Sequence, residues 1–490
     1  MSRSLLEDVK AKLADNVEGY SSVNFKDAGN RSRDHYKSSM SPRRFMFRQT
    51  LLPLVRWETA YLAKFQKACR SKFWDDYFAF SANLGAHTFF VIMLPTPFWF
   101  GYAQLARTLV YVLAAGVVFS GMLKDYFCLP RPLSPPLHRI TMSGSAALEY
   151  GCPSTHSANA VAAALAIMYY AYDNQDGVST SSLLILRVLM WIYIVSILVG
   201  RLYCGMHGFL DVIVGSLVGV VVFWGRWLLK ERIDEFIITP GPLVPLVITP
   251  IILILIRVHP EPVDPCPCFE DSVAFSGVVL GVDLALWHSW DKPWMGQDLY
   301  PGYLPYSYAH CGIIKSVLRV VLGVTCIFLW RAVMKKSLHT VLPPLFRFIE
   351  RIGLSMPRVF FLRASEYNKV PGSIPDTTLV NATEIPSLIG NIKRGRSDSV
   401  GPQSPADMYE TMAYRDERQR RRSLEGAGKD APLPPSKEEL EELDEYQLFL
   451  QIRPPRVQYD VEVITKLVVY SGIGWIGVEG CAIMYYYLNL

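Results

Sequence analysis

Charge is scarce in this sequence. Asp, Glu, Lys and Arg make up 19% of its 490 residues, against about 25% in ordinary soluble proteins. That argues against reading the length as about three soluble domains of roughly 150 residues each. Paired cysteine motifs are also missing. The nine cysteines are scattered and no Cys-x-x-Cys occurs, so neither a small disulfide scaffold nor a zinc site is expected. Cys266-Pro-Cys268 is the one close pair, and its spacing reads as incidental. There is no internal repeat, which excludes a fibrous architecture. No concentrated basic face is present: the net charge is a mild +5, with the cations mainly in tails and loops, so no nucleic-acid partner is expected. Met1–Lys72 is polar throughout and lacks the apolar core of a signal peptide.

What the chain does have is apolar length. Hydrophobic residues reach 51% and aromatics 12%, and the mean hydropathy is +0.20. Continuous apolar runs near the roughly 20 residues that a membrane-spanning helix needs fall at about 77–100, 104–123, 157–174, 182–200, 209–229, 242–258, 272–290, 312–334 and 465–487. A β-barrel would alternate apolar and polar residues; these runs do not. The expected fold is therefore all-α, a polytopic integral membrane bundle of about 8–9 transmembrane helices. Five regions follow: a polar, basic N-terminal tail (1–76), a transmembrane core (77–229), additional transmembrane helices (230–334), a polar and mostly disordered insert (335–464), and a C-terminal transmembrane helix (465–490). Leu51–Lys72 has helical periodicity with too much charge to span, and is expected to lie along the membrane surface. The insert carries Lys393-Arg394-Gly395-Arg396-Ser397 and Arg420-Arg421-Arg422-Ser423; protein kinases acting at Ser397 and Ser423 are the partners this suggests. Within the apolar runs, Lys315 and Arg319 are expected to snorkel. Asp283 and His87 are expected to be satisfied internally. Trp287, Trp290, Trp294 and the Tyr-rich 300–308 segment read as an interfacial belt.

Three short polar segments sit at the ends of apolar helices. Lys124 to Pro132 closes the second run, Gly151-Cys152-Pro153-Ser154-Thr155-His156 opens the third, and Arg201 to Asp211 opens the fifth. The chain crosses twice between the second and third segments and not at all between the first and second. All three therefore face one side and can converge. Lys124, Arg131 and Arg201 are three cations, suited to the oxygens of a phosphate monoester. Ser154 stands where a helix N-cap belongs, and N–H groups at a helix start bind anions. Two histidines supply what phosphoryl transfer needs, His207 as nucleophile and His156 as general acid and base. His207 and Asp211 are four apart and share a helical face, so Asp211 can orient the His207 ring. Taken singly, each of these residues also suits a helix-end anchor in the headgroup region. The joint pattern is what points to chemistry.

These segments resemble the three signature motifs of the type 2 phosphatidic acid phosphatase superfamily: Lys-x6-Arg-Pro, Pro-Ser-Gly-His and Ser-Arg-x5-His-x3-Asp. Lys124 to Pro132 fits the first. Pro153 to His156 fits the second with Thr155 for Gly, and Arg201, His207 and Asp211 fit the third with Gly200 for Ser. Thr155, Arg131-Pro132-Leu133-Ser134-Pro135-Pro136 and Glu149-Tyr150-Gly151-Cys152-Pro153-Ser154-Thr155-His156 are similar to the branch of sphingosine-1-phosphate phosphatases, and closely so to fungal long-chain-base phosphate phosphatases. The resemblance implies a six-helix core and hydrolysis of a sphingoid base 1-phosphate through a phosphohistidine, with no metal and no cofactor. Lys124, Arg131, Ser154, Thr155 and Arg201 would hold the phosphate. It further implies a membrane lipid substrate and a multi-pass place in the endoplasmic reticulum membrane, with the site facing the lumen. Only five helices are evident between 77 and 229. Counting crossings puts the tail and the insert on the side of the site, while their basic character argues for cytoplasm. The sequons at Asn30 and Asn381 test that conflict. The alternatives are a phosphatase for phosphatidate or another glycerolipid phosphate, and a catalytically silent lipid-phosphate binding or transport protein.

Overall fold

The computed structural model of the chain describes residues 28–31, 33–83, 93–134, 136–140, 149–176, 178–296, 303–356, 358–371 and 457–490. The described residues are almost wholly helical. In chain order the helices are α1 (Arg33–Ser39), α2 (Pro42–Cys69), α3 (Lys72–Asn83), α4 (Pro95–Trp99), α5 (Ala103–Phe127), α6 (Thr155–Asp173), α7 (Thr180–Tyr203), α8 (Phe209–Ile237), α9 (Leu243–Arg257), α10 (Cys268–Ser289) and α11 (Tyr308–Arg351). α12 (Val461–Tyr487) follows, with a π-helical turn at Ile476–Gly480. Two strands, β1 (Phe361–Leu362) and β2 (Gln458–Tyr459), pair in parallel.

α5, α7, α8, α11 and α12 are long and apolar enough to cross a membrane, and α9 is apolar but shorter. The outward faces confirm the solvent they meet. Leu184, Ile185, Val188, Leu189, Ile192 and Val195 on α7 are all exposed, a stripe too large and too apolar for water. The chain is a multi-pass membrane protein. α5 packs against α6, α8 and α10, and α10 packs along α12.

α6 and α8 approach closely because both present small residues. Ala158, Ala162, Ala164 and Ala166 of α6 are buried. On α8, a side-chain carbon at Gly215 would lie 2.4 Å from the Ser154 carbonyl, and one at Gly219 would lie 2.4 Å from that of Ala158. Such small-residue seams are how helices associate where no hydrophobic force separates them from lipid. This contact locks the start of α6 beside the start of α8, where two of the three polar segments lie.

α2 has an inverted amphipathic plan. Arg48, Glu58, Thr59 and Gln66 are buried, while Met46, Phe47, Leu54, Trp57 and Tyr61 are exposed. Its polar face lies across one end of the bundle. Arg48 donates to the Cys128 carbonyl at 3.1 Å, and Gln66 donates to the carbonyls of His138 and Tyr203 at 2.7 and 2.8 Å. Most of Leu51–Lys72 lies in this helix, which covers the loops and turns its aromatic side outward.

Several boundaries differ from the sequence expectation. Within 77–100 the described pieces are α3 and α4; residues 84–92, with His87, lie outside the described residues. α11 runs on to Arg351, so the insert begins with helix. β1 and β2 then bring its two ends together, and residues 372–456, with Asn381, Ser397 and Ser423, lie outside the described residues. Arg358 donates to the carbonyls of His259 and Pro260, and His259 bonds Asp125 near the end of α5. The insert therefore leaves from the face where α5 ends, as the crossing count requires. Arg319 does not snorkel. It is buried and donates to the carbonyls of Trp99, Pro305 and Leu490, tying three segments at the opposite face. Lys315, exposed, reaches the Asn489 carbonyl at 2.7 Å. Asp283 accepts from Tyr111, near a pair of arginines, Arg107 and Arg226, that share Asp234 at 2.8 and 2.7 Å. The sulfurs of Cys266 and Cys268 lie in contact at the end of the loop after α9.

The α6–α8 seam yields a direct test. Gly219→Ala is expected to lower stability by about 1–3 kcal/mol through overpacking, read as a fall in the thermal midpoint in detergent. Gly225→Ala, where an added carbon meets nothing within 4 Å, is expected to cause no fall.

Candidate active site

The three polar segments meet at the covered end of the bundle. The Gly151 N–H donates to the Leu129 carbonyl at 2.9 Å, and the Ser154 N–H donates to that of Asp211 at 2.9 Å. These backbone bonds join the first segment to the second and the second to the third. Gly151 is required for its size: a side-chain carbon there would lie 2.7 Å from the Pro130 carbonyl and 3.1 Å from the Asp211 carboxylate.

His207 stands at the centre, buried, on the loop between α7 and α8. Its Nδ1 is 3.0 Å from the Gly151 carbonyl and 3.5 Å from Oδ2 of Asp211. Its Nε2 is 3.1 Å from a guanidinium nitrogen of Arg131. A carbonyl only accepts and a guanidinium only donates. The network therefore assigns the proton to Nδ1 and leaves a lone pair on Nε2. Burial, then Arg131, Lys124 and Arg201, push the His207 ring well below its ordinary value, so the imidazole is neutral. Asp211 is mainly engaged elsewhere: its Oδ2 accepts the Gly208 N–H at 2.9 Å, capping α8. The carboxylate expected to orient His207 is the more distant of two partners, and the nearer is a backbone carbonyl.

Arg131 lies on the Nε2 side, and Lys124 and Arg201 also act on the ring. Arg131 is buried and donates to the carbonyls of Glu149 and Met206 at 3.0 and 2.5 Å; burial lowers its guanidinium to about 10, so it stays charged at neutral pH. Lys124 bonds the Glu149 carboxylate at 2.5 Å, and an Arg131 nitrogen lies 3.6 Å from the same oxygen. Arg201 is buried, and its Nε has no hydrogen-bond partner among the described residues. Ser154 is the N-cap of α6 and accepts from the Ser157 N–H at 3.3 Å. Thr155 bonds the Ser120 hydroxyl at 2.9 Å. His156, the second residue of α6, is half-buried. All eight sequence-selected residues thus belong to one end of the bundle. Gly200 does not face the cations. A side-chain carbon there would lie 2.8 Å from Phe78, which accounts for the missing serine.

Residues 105–234 match the PAP2 superfamily. Over 304 residues the chain is 39% identical to a dihydrosphingosine 1-phosphate phosphatase of Schizosaccharomyces pombe, covering 62% of this chain and 72% of that one. This chain belongs to the PAP2 superfamily. It is also 39% identical over 323 residues to a dihydrosphingosine 1-phosphate phosphatase of Saccharomyces cerevisiae, covering 66% and 78% of the two chains. A probable sphingosine-1-phosphate phosphatase of Dictyostelium discoideum is 29% identical over 301 residues, covering 59% and 70%. No solved structure matches.

Two acidic residues that the sequence reading did not select stand beside the eight. Glu149 was visible only as part of a family-like string. Glu58 comes from α2, outside the superfamily match. Its Oε1 accepts the Leu210 N–H at 3.0 Å at the start of α8, and burial raises its carboxyl. The available signal was a lone acid in a basic, aromatic helix. Glu58→Ala is expected to cost about 1–2 kcal/mol, as loss of a helix cap does, and Glu58→Gln less, because an acceptor remains; thermal unfolding reads both.

The His207 shift also carries a pH dependence. Its folded value lies below the unfolded one of about 6.5, so the unfolded chain binds the extra proton first. The stabilisation is complete above about pH 6.5 and is lost as pH falls toward the folded value, by at most about 1.4 kcal/mol per pH unit. His207→Asn is expected to flatten the slope of thermal midpoint against pH below 6.5. An unchanged slope would assign it to other groups.

Proposed function

We propose that this protein hydrolyses sphingoid long-chain base 1-phosphates, such as dihydrosphingosine 1-phosphate, to the free base and inorganic phosphate. The observation that carries the chemistry is the His207 ring: neutral, its Nε2 lone pair directed at the buried Arg131, which shares Glu149 with Lys124. The substrate reading rests on the names of the relatives. Lys124, Arg131, Arg201, Ser154 and Thr155 with the N–H groups opening α6 take the phosphate. Nε2 attacks phosphorus, the N–P bond forms and the ester O–P bond breaks. His156 gives its proton to the leaving alkoxide. His156 then accepts a proton from water, whose oxygen attacks the phosphohistidine, breaks the N–P bond and releases phosphate. Cations fixed around the non-bridging oxygens stabilise the charge that shifts in the transition state. Asp211 steadies the positive charge that the ring acquires. The residues fill each role without a metal or cofactor. The endoplasmic reticulum membrane, with the site facing the lumen, is the proposed location.

The test is phosphate release by purified protein in detergent with excess EDTA. Dihydrosphingosine 1-phosphate is expected to be turned over in preference to phosphatidate, and His207→Ala to lower kcat by at least about 10³-fold. Release mainly from phosphatidate would keep the chemistry and overturn the substrate. Lipid-phosphate binding without release from either would favour a silent binding protein.

A further inference from the structure

The cations assigned to phosphate already hold an anion of the protein. The Glu149 carboxylate lies 2.5 Å from Lys124 and 3.6 Å from Arg131. Its backbone cannot move away, because the Glu149 carbonyl is fixed by the Arg131 Nε–H at 3.0 Å and Gly151 is tied to Leu129. A phosphate that takes Lys124 and Arg131 therefore displaces this carboxylate from its cations yet keeps it as a neighbour. Two anions side by side repel unless a new cation comes between them.

The exposure pattern says where that cation enters. Lys124 and Arg131 side chains are 3% and 4% exposed, while that of Glu149 is 20% exposed. The carboxylate is at the mouth, where the carbon skeleton of a substrate must lie once its phosphate is inside. In a sphingoid base 1-phosphate, the carbon next to the phosphate ester carries an amine, protonated at neutral pH. That ammonium reaches the mouth within a few bonds of the phosphate. A glycerolipid phosphate brings the same dianion with no cation.

We propose that Glu149 is the specificity-determining residue of this site: its carboxylate exchanges the Lys124 ammonium for the protonated amine of the substrate and disfavours phosphate monoesters that lack one. The proposal rests on the phosphatase reading above and names the residue that selects within it. The exchange balances, since Lys124 passes from carboxylate to phosphate while Glu149 passes from Lys124 to substrate.

The experiment compares kcat/KM of the full-length protein for dihydrosphingosine 1-phosphate, octadecyl phosphate and phosphatidate. The wild type is expected to prefer the amine-bearing substrate by about 10- to 100-fold, the effect of one hydrogen bond to a charged group. Glu149→Gln is expected to bring the ratio near unity, chiefly by raising KM for the amine substrate. Glu149→Asp, with the carboxylate withdrawn by one methylene, should give an intermediate ratio. A wild type that takes the amine-bearing and amine-free phosphates equally overturns the proposal with no variant needed. So does a wild-type ratio in every variant that folds. Failure of the wild type to hydrolyse any of the three counts instead against the phosphatase reading.

Discussion

Buried positive charge is the constraint on which this structure turns. Lys124, Arg131 and Arg201 are each no more than about one twentieth exposed, and they converge where two helices begin. A buried charge without a partner costs roughly 3–5 kcal/mol, so such a cluster persists only with an anion on it. Glu149 supplies that anion within the chain. His207, set among the same cations, cannot also take up a second proton and remains neutral. A site that tolerates its own charge only in company is ready for a doubly charged ligand.

Holding those groups together is the work of elements on both sides of the superfamily match. The α6–α8 seam fixes the two helix starts. From above, α2 adds Glu58 at the start of α8 and Arg48 beside Cys128. From the other flank, Asp264 accepts from Tyr36 at 2.7 Å and Tyr150 at 3.1 Å and pairs with Arg31 at 2.9 Å. That joins the N-terminal segment, the loop after α9 and the residue next to Glu149. The carboxylate at the mouth is thus attached to a rigid neighbourhood, as a group that discriminates between ligands must be.

The bundle, and the meeting of the eight selected residues at one end of it, were legible in the sequence because both depend on spacing: apolar runs of membrane length, and polar residues at fixed distances from helix ends. What it hid depends on pairing across distance. Nothing in a string tells that the Gly151 carbonyl lies nearer the His207 ring than Asp211 does, or that Glu58 answers an N–H of Leu210 from 152 residues away. Arg319 was misread for the same reason, since three backbone carbonyls make a buried guanidinium affordable and carbonyls leave no mark on composition. Helix α11 outran its apolar stretch because Lys335, Lys336 and His339 lie past the apolar run, where a helix can continue in a polar setting.

The two partners of the His207 ring have different uses on the proposed path. A carboxylate in tight contact with Nδ1 would raise the affinity of the ring for a proton and risk occupying Nε2 before the substrate arrives. A carbonyl fixes the same tautomer with far less charge. As the N–P bond forms, the ring becomes cationic, and a carboxylate 3.5 Å away then contributes most. Asp211 is also held by the Gly208 N–H, so its place does not depend on the protonation of the ring. Interactions that strengthen only as the reaction proceeds accelerate it. The spacing of carbonyl and carboxylate around one imidazole provides that difference, with the carbonyl setting the ground state and Asp211 favouring the phosphorylated one.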